Sequence, residues 1–174
     1  MELALLVLRL VVGLGFAAHG AQKLFGSFGG HGIEGTAGMF DQIGLRPGTV
    51  HARVAGSFEF FGGALIALGL VTPFAAAALI GVMTAAVLKV HLPKGFFNTE
   101  GGYEYNLVLV AALFALAGIG AGDWSLDHAF DLDLAGTGWA LGAVGVGVLG
   151  GLGAVFSGRL VSGREEGRGQ PHAA

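Results

Sequence analysis

The chain of 174 residues has no cysteine and little charge. Without cysteine it can form no disulfide and can carry out no thiol chemistry itself. Only 12% of its residues are charged, whereas 53% are hydrophobic, and a typical soluble domain carries about 25% charged residues. Phosphate-binding and dinucleotide-binding glycine motifs are also absent, although the chain contains 34 glycines. This composition predicts one integral membrane domain, and we expect no nucleic-acid partner.

The first apolar stretch, residues 3–25, is long enough to cross a bilayer, which takes about 20 residues. We expect it to be a retained helix rather than a cleaved signal peptide, because no basic segment precedes it. A cation near the centre of such a helix costs roughly 3 kcal/mol, so cations there normally face a bundle interior. Spacings of three and four residues place on one helical face Arg9, Gly13, Phe16, Gly20 and Lys23.

Four further apolar segments follow, so the sequence predicts an all-α, polytopic membrane helix bundle. The predicted spans are residues 3–25, 50–71, 73–92, 105–121 and 136–157. The membrane domain is expected to occupy residues 1–158, and the polar residues 159–174 to form a disordered tail. Small residues indicate where the helices pack closely. Gly63 allows close packing of the second span. Gly147 and Gly151 allow the fifth span to pack on a helix of the same chain or of a second copy, so a homo-oligomer is one of the two possibilities.

The basic residues indicate the orientation in the membrane. With five spans, one side holds Lys23, Arg46, Arg53, Lys89, Lys94, Arg159, Arg164 and Arg168. The opposite side holds no lysine or arginine, and Arg9 is the basic residue nearest to it. Because cytoplasmic loops carry the excess of basic residues, the N-terminus is predicted outside and the C-terminus in the cytoplasm.

Arg9 and Glu59 are the most deeply placed charges, and we expect Glu59 to face the first helix and neutralise Arg9. Two interpretations stay open: a buried ion pair that fixes helix register, or a polar site for a small ligand, a proton or a quinone carbonyl.

A second polar group lies near the predicted cytoplasmic ends of the helices: His19, Lys23, Lys89, His91 and Glu104. These residues either extend to the interface or form one polar vestibule. No metal site is predicted. His31 and His51 are interpreted as solvated loop residues, as is the acidic loop from Asp123 to Asp133.

An ordered set of motifs resembles the DoxX family of small bacterial membrane proteins. The motifs are R-x3-G-x2-F-x3-G-x2-K at 9–23, G-x2-E-x3-G at 56–63, LGLVTP at 68–73, G-x-E at 102–104 and GAGDWSLD at 120–127. The resemblance implies a four-helix core in the bacterial inner membrane, and the fifth span lies beyond it. It also implies a link to redox complexes, since members are associated with thiosulfate:quinone oxidoreductase or with an oxidoreductase complex containing superoxide dismutase and a sulfurtransferase.

Three functions are compatible with these observations, and whether the chain is an enzyme stays open. The first is a membrane subunit of a redox assembly that holds a quinone or similar small molecule. The second is a scaffold or anchor whose buried charges only set packing. The third is a small transporter, which requires a continuous polar path across the bundle. All three place the chain in contact with the lipid bilayer.

Overall fold

The computed structural model describes residues 1–168, and of these all side chains except those of residues 159 and 162–168. Within this range the regular structure is helical, which confirms the predicted all-α class. The helices are α1 (Glu2–Phe25), α2 (Gly32–Gln42), α3 (Gly48–Leu68), α4 (Thr72–Ala86), α5 (Glu104–Ile119), α6 (Leu126–Ala129) and α7 (Thr137–Arg168). A π-helical segment, Val87–His91, continues α4.

Four helices, α1, α3, α4 and α5, form the core of the bundle, and α7 packs on α4 and α5 from outside. Leu79 and Ile80 of α4 meet Leu113 and Leu116 of α5 in the apolar centre, where all four are fully buried. The arrangement is the expected four-helix core with a fifth, C-terminal helix added to it.

Glycines allow α1 and α3 to pack with their backbones almost in contact. A Cβ atom on Gly13 would lie 2.5 Å from the carbonyl oxygen of Gly63, and one on Gly63 would lie 2.5 Å from that of Gly13. A Cβ on Gly20 would collide with the backbone of Phe60. Because no side chain fits at these three positions, they fix the relative register of the two helices.

The fifth helix uses its glycines inside the chain. A Cβ atom added to Gly147 would lie 2.7 Å from the carbonyl oxygen of Ala77, and one added to Gly151 would lie 2.6 Å from the carbonyl oxygen of Gly81. Of the two packing partners left open by the sequence, the structure therefore shows the intramolecular one for this glycine pair.

Three helical segments in the described part of the chain are long and apolar enough to cross a bilayer: Glu2–Phe25, Thr72–Lys94 and Thr137–Gly158. Helix α3 contains Arg53 and Glu59 among its apolar residues, and α5 has only 16 residues, so the predicted count of five spans stays a prediction. Helix α7 continues to Arg168, so the first part of the predicted disordered tail is helical instead. The rest of that tail, residues 169–174, lies outside the described residues.

Helix α2 is the short helix expected between the first two spans, and it packs on the bundle through one face. Phe40 and the following Leu45 are buried against Ala52 of α3 and Val155 of α7. This segment therefore closes one end of the space between α3 and α7.

Candidate ligand-binding site

The buried carboxylate of Glu59 pairs with Lys23, not with Arg9. Lys23 Nζ donates a hydrogen bond to Glu59 Oε2 at 2.5 Å, and the two side chains are 23% and 3% exposed. The prediction that Glu59 neutralises Arg9 is wrong. The glycine contacts set the helix register so that Lys23, whose Cβ lies beside Gly56, is within side-chain reach of Glu59. Arg9 lies about 21 Å from Lys23 along α1, at 1.5 Å per residue.

Arg9 belongs to the opposite end of the bundle, under the loop that connects α5 and α6. Its side chain is 1% exposed, and Nη2 donates a hydrogen bond to the carbonyl oxygen of Trp124 at 2.5 Å. Its Nε and Nη1 make no hydrogen bond to the residues that the structure describes. The carboxylates that act on it electrostatically are those of Asp127 and Glu2.

Asp127 organises this end of the bundle, contrary to the interpretation of its loop as solvated. It is 5% exposed, and its carboxylate accepts hydrogen bonds from the amide N–H groups of Val71 and Thr72, at 2.7 and 3.1 Å, and from Thr72 Oγ1 at 2.7 Å. These groups lie at the N-terminus of α4, where backbone N–H groups lack helical partners. The loop therefore fastens the α3–α4 turn above Arg9.

The Lys23–Glu59 end of the bundle opens into a crevice of about 570 Å³, a volume within the roughly 300–1,000 Å³ of small-molecule sites. Helix α4 forms its floor, α3 and α7 form its walls, and α2 closes one end. The lining is mainly apolar. The polar side chains that line it are Lys23, Glu59, His51, Lys89 and His91.

The sequence-predicted polar residues thus separate into two groups. Lys23, Glu59, Lys89 and His91 line the crevice, and His91 Nδ1 lies 2.7 Å from the carbonyl oxygen of Gly101. Arg9, His19 and Glu104 lie outside it. His19 is exposed and contacts Gln22 Oε1 at 3.1 Å, and Glu104 Oε2 accepts a hydrogen bond from the amide of Asn98 at 3.0 Å.

Two features of the site were missed by sequence reasoning. His51, interpreted as a loop residue, lies in the first turn of α3 and lines the crevice. The participation of α7 was also missed, because a helix without charge gives no sign of lining a site. No group of three or more potential metal ligands occurs among the described residues.

Comparison with known proteins identifies the family. The DoxX family model matches residues 4–92. The chain belongs to the DoxX family. It is 32% identical over 135 residues to an uncharacterized membrane protein of Mycobacterium tuberculosis, an alignment that covers 72% of this chain and 80% of the relative. It is also 32% identical over 117 residues to the Bacillus subtilis protein named "Putative oxidoreductase CatD", covering 67% and 81%. No solved structure matches.

The DoxX match places part of the crevice within the family region. Residues 4–92 contain the Lys23–Glu59 pair, the α4 floor and His91. The wall formed by α7 lies beyond the match, so the crevice of this DoxX protein combines family residues with the added fifth helix.

Proposed function

We propose that this DoxX protein is the membrane subunit of a redox-linked complex and that its crevice binds a quinone. The observation that carries the proposal is a mainly apolar crevice with a buried ion pair in its wall. An apolar ring fits such a lining, and a few placed polar groups fix the orientation of a ligand in sites of this kind. The relative named as an oxidoreductase supports a redox role.

The residues of the crevice fit a quinone by their chemistry. The ammonium group of Lys23 carries three donors, of which one is used by Glu59, so another can donate to a quinone carbonyl. Glu59 holds Lys23 in place through its charge. A bound quinone would supply two-electron redox chemistry. The chain has no cysteine, so in this proposal the electrons come from a partner subunit.

The other two functions have less support from the observed arrangement. The polar residues around Arg9 and those around Glu59 lie at different ends, and the buried residues between them include Phe16, Ile66 and Leu79. The described residues therefore form no continuous polar path across the bundle, and a transporter is not supported. A scaffold needs no crevice, which leaves the quinone site as the function that the geometry supports best.

We expect filling the crevice to weaken quinone binding by about tenfold or more, equivalent to about 1.4 kcal/mol. Ala78→Phe places a ring in the crevice, whereas Ala111→Phe places the same ring on an exposed position of α5. Binding of a short-chain benzoquinone to the detergent-purified protein is measured by equilibrium dialysis. Equal affinity in Ala78→Phe and the unaltered protein would refute the site, provided that both elute as folded protein.

We also propose that the N-terminus lies outside the cytoplasm and the C-terminus inside. The support is the separation of charge between the two ends of the bundle, since Lys23, Lys89 and Lys94 lie at the crevice end and Asp123 and Asp127 at the other. A reporter enzyme fused after residue 174 is expected to be active only as a cytoplasmic form. Periplasmic activity of the fusion would reverse the proposed orientation.

A further inference from the structure

The crevice has more cationic and donor groups than its internal ion pair uses. Among the described residues that line it, Glu59 is the only acidic one, and Lys23 already neutralises it. Lys89 makes no ion pair with any residue in the described part of the chain, and its Nζ lies beside Gly44, just beyond α2. His51 and His91 add two imidazoles to the same lining. This end of the crevice therefore has an unmatched positive charge.

The crevice is also open sideways, toward the position of the lipid. Its wall residues Phe58 and Val146, from α3 and α7, are 47% and 66% exposed, and Phe74 at its edge is 57% exposed. Such exposure of large apolar side chains on a membrane protein indicates contact with acyl chains. A ligand can therefore enter from the bilayer without passing through the apolar core.

Aromatic side chains place the positive end of the crevice near the membrane surface. The loop after the π-helical segment carries Phe96, Phe97 and Tyr103, which pack edge to face. Tyr105, in the first turn of α5, is 53% exposed. Tyrosine is enriched at the level of the lipid headgroups. Lys89 precedes Phe96 by seven residues, so its long side chain can reach the depth of the lipid phosphates.

We propose that this crevice binds an anionic phospholipid, with the phosphate at Lys89 and the two imidazoles and one acyl chain along the groove between α3 and α7. The charge favours this occupant over a zwitterionic lipid, because a juxtamembrane lysine attracts anionic headgroups. The open apolar groove favours it over a free anion, which has no chain to bury. The headgroup position at Lys89 does not depend on a bound quinone, but the acyl chain and a quinone ring would occupy the same groove, so the two ligands are expected to compete.

Native mass spectrometry of the detergent-purified protein tests the proposal with three probes: palmitoyl-oleoyl phosphatidylglycerol, the matching phosphatidylcholine and inorganic phosphate. We expect phosphatidylglycerol to bind at least about fivefold more tightly than phosphatidylcholine, and inorganic phosphate not to bind. Similar affinities for the two lipids would overturn the proposal, and so would binding of inorganic phosphate alone.

Matched variants locate the bound lipid. Lys89→Gln is expected to reduce phosphatidylglycerol binding by about fivefold, while Lys89→Arg retains it. Arg53→Gln removes one positive charge from an exposed position of α3 outside the crevice and is expected to have no such effect. Equal losses in Lys89→Gln and Arg53→Gln would contradict the site.

A second variant is used if Lys89→Gln does not fold. Gly150→Leu places a side chain in the groove and is expected to reduce phosphatidylglycerol binding by the same factor. Unchanged lipid binding in Gly150→Leu would refute the proposal. Quinone binding is measured on each variant, so that failure of one site is distinguished from failure of the other.

Discussion

Replacing either member of the Lys23–Glu59 pair by leucine is expected to destabilise the protein by about 3–5 kcal/mol, because one charge is left without its partner in a low-dielectric environment. The double variant, Lys23→Leu with Glu59→Leu, removes both charges and should regain most of that loss. The measurement is a double-mutant cycle on unfolding in detergent. Strictly additive losses would show that the 2.5 Å contact contributes no coupling.

A second cycle, with Arg9→Leu and Glu59→Leu, provides the matched control. Arg9 bonds to Trp124 at the other end of the bundle, so this cycle should give little or no coupling energy. Quinone binding distinguishes a packing role of the Lys23–Glu59 pair from a ligand-binding role. If Lys23 and Glu59 only set the packing, the stable double variant binds quinone as before. If they hold the ligand, as proposed here, stability returns and binding does not.

The glycine spacing narrows the choice of ion pair from the sequence but does not decide it. The spacing from Gly13 to Gly20 equals that from Gly56 to Gly63, seven residues in each case, so two antiparallel helices can pair both glycine sets at once. In that register Glu59 lies opposite Ala17, six residues from Lys23 and eight from Arg9, so the glycine spacing favours Lys23 by only about 3 Å along the helix. Depths estimated from the centres of the predicted spans do not include this constraint. They are also less precise than a contact between two backbones, because the boundaries of a span are uncertain by several residues.

The hydrophobic runs were sufficient to predict the helical class and the helix order. In lipid, the backbone N–H and C=O groups of each run must be hydrogen-bonded within the protein, and a helix achieves this. The crevice could not be predicted in the same way. It exists because α7 packs on α4 beside α3, and because α2 folds back to place Phe40 and Leu45 at its end. These contacts join segments far apart in the chain and leave no local pattern.

Asp127 shows a different limit of sequence reasoning. Its loop is acidic and contains no apolar run, which is also the pattern of solvated charge. Only the tertiary contact with the α3–α4 turn reveals that this carboxylate is buried. The positive φ of Val71, an unusual conformation for a β-branched residue, occurs at the point where the carboxylate accepts its hydrogen bond.

Substituting Asp127 by alanine is therefore expected to cost about 3 kcal/mol or more. The change removes the acceptor of three hydrogen bonds and leaves buried donors unsatisfied, at about 1–3 kcal/mol each. It also removes a negative charge that acts on Arg9. Asp127→Asn keeps the shape and one acceptor oxygen, so its loss should be intermediate. Thermal or denaturant unfolding in detergent measures the series.

Asp133→Ala is the control for Asp127→Ala, because Asp133 is an exposed acid in the same connection and its loss should change stability by less than about 0.5 kcal/mol. A second comparison isolates the charge. Arg9→Met removes the buried cation but leaves the three hydrogen bonds of Asp127 intact, so it should destabilise less than Asp127→Ala. Equal effects of Asp127→Ala and Asp133→Ala would mean that the hydrogen bonds at the start of α4 do not stabilise the bundle. A larger loss in Arg9→Met would assign the stability of this end to the guanidinium rather than to the carboxylate. We expect Asp127→Ala to cost more than Arg9→Met, because the Asp127 carboxylate accepts hydrogen bonds from the N–H groups at the start of α4 and holds the loop over Arg9.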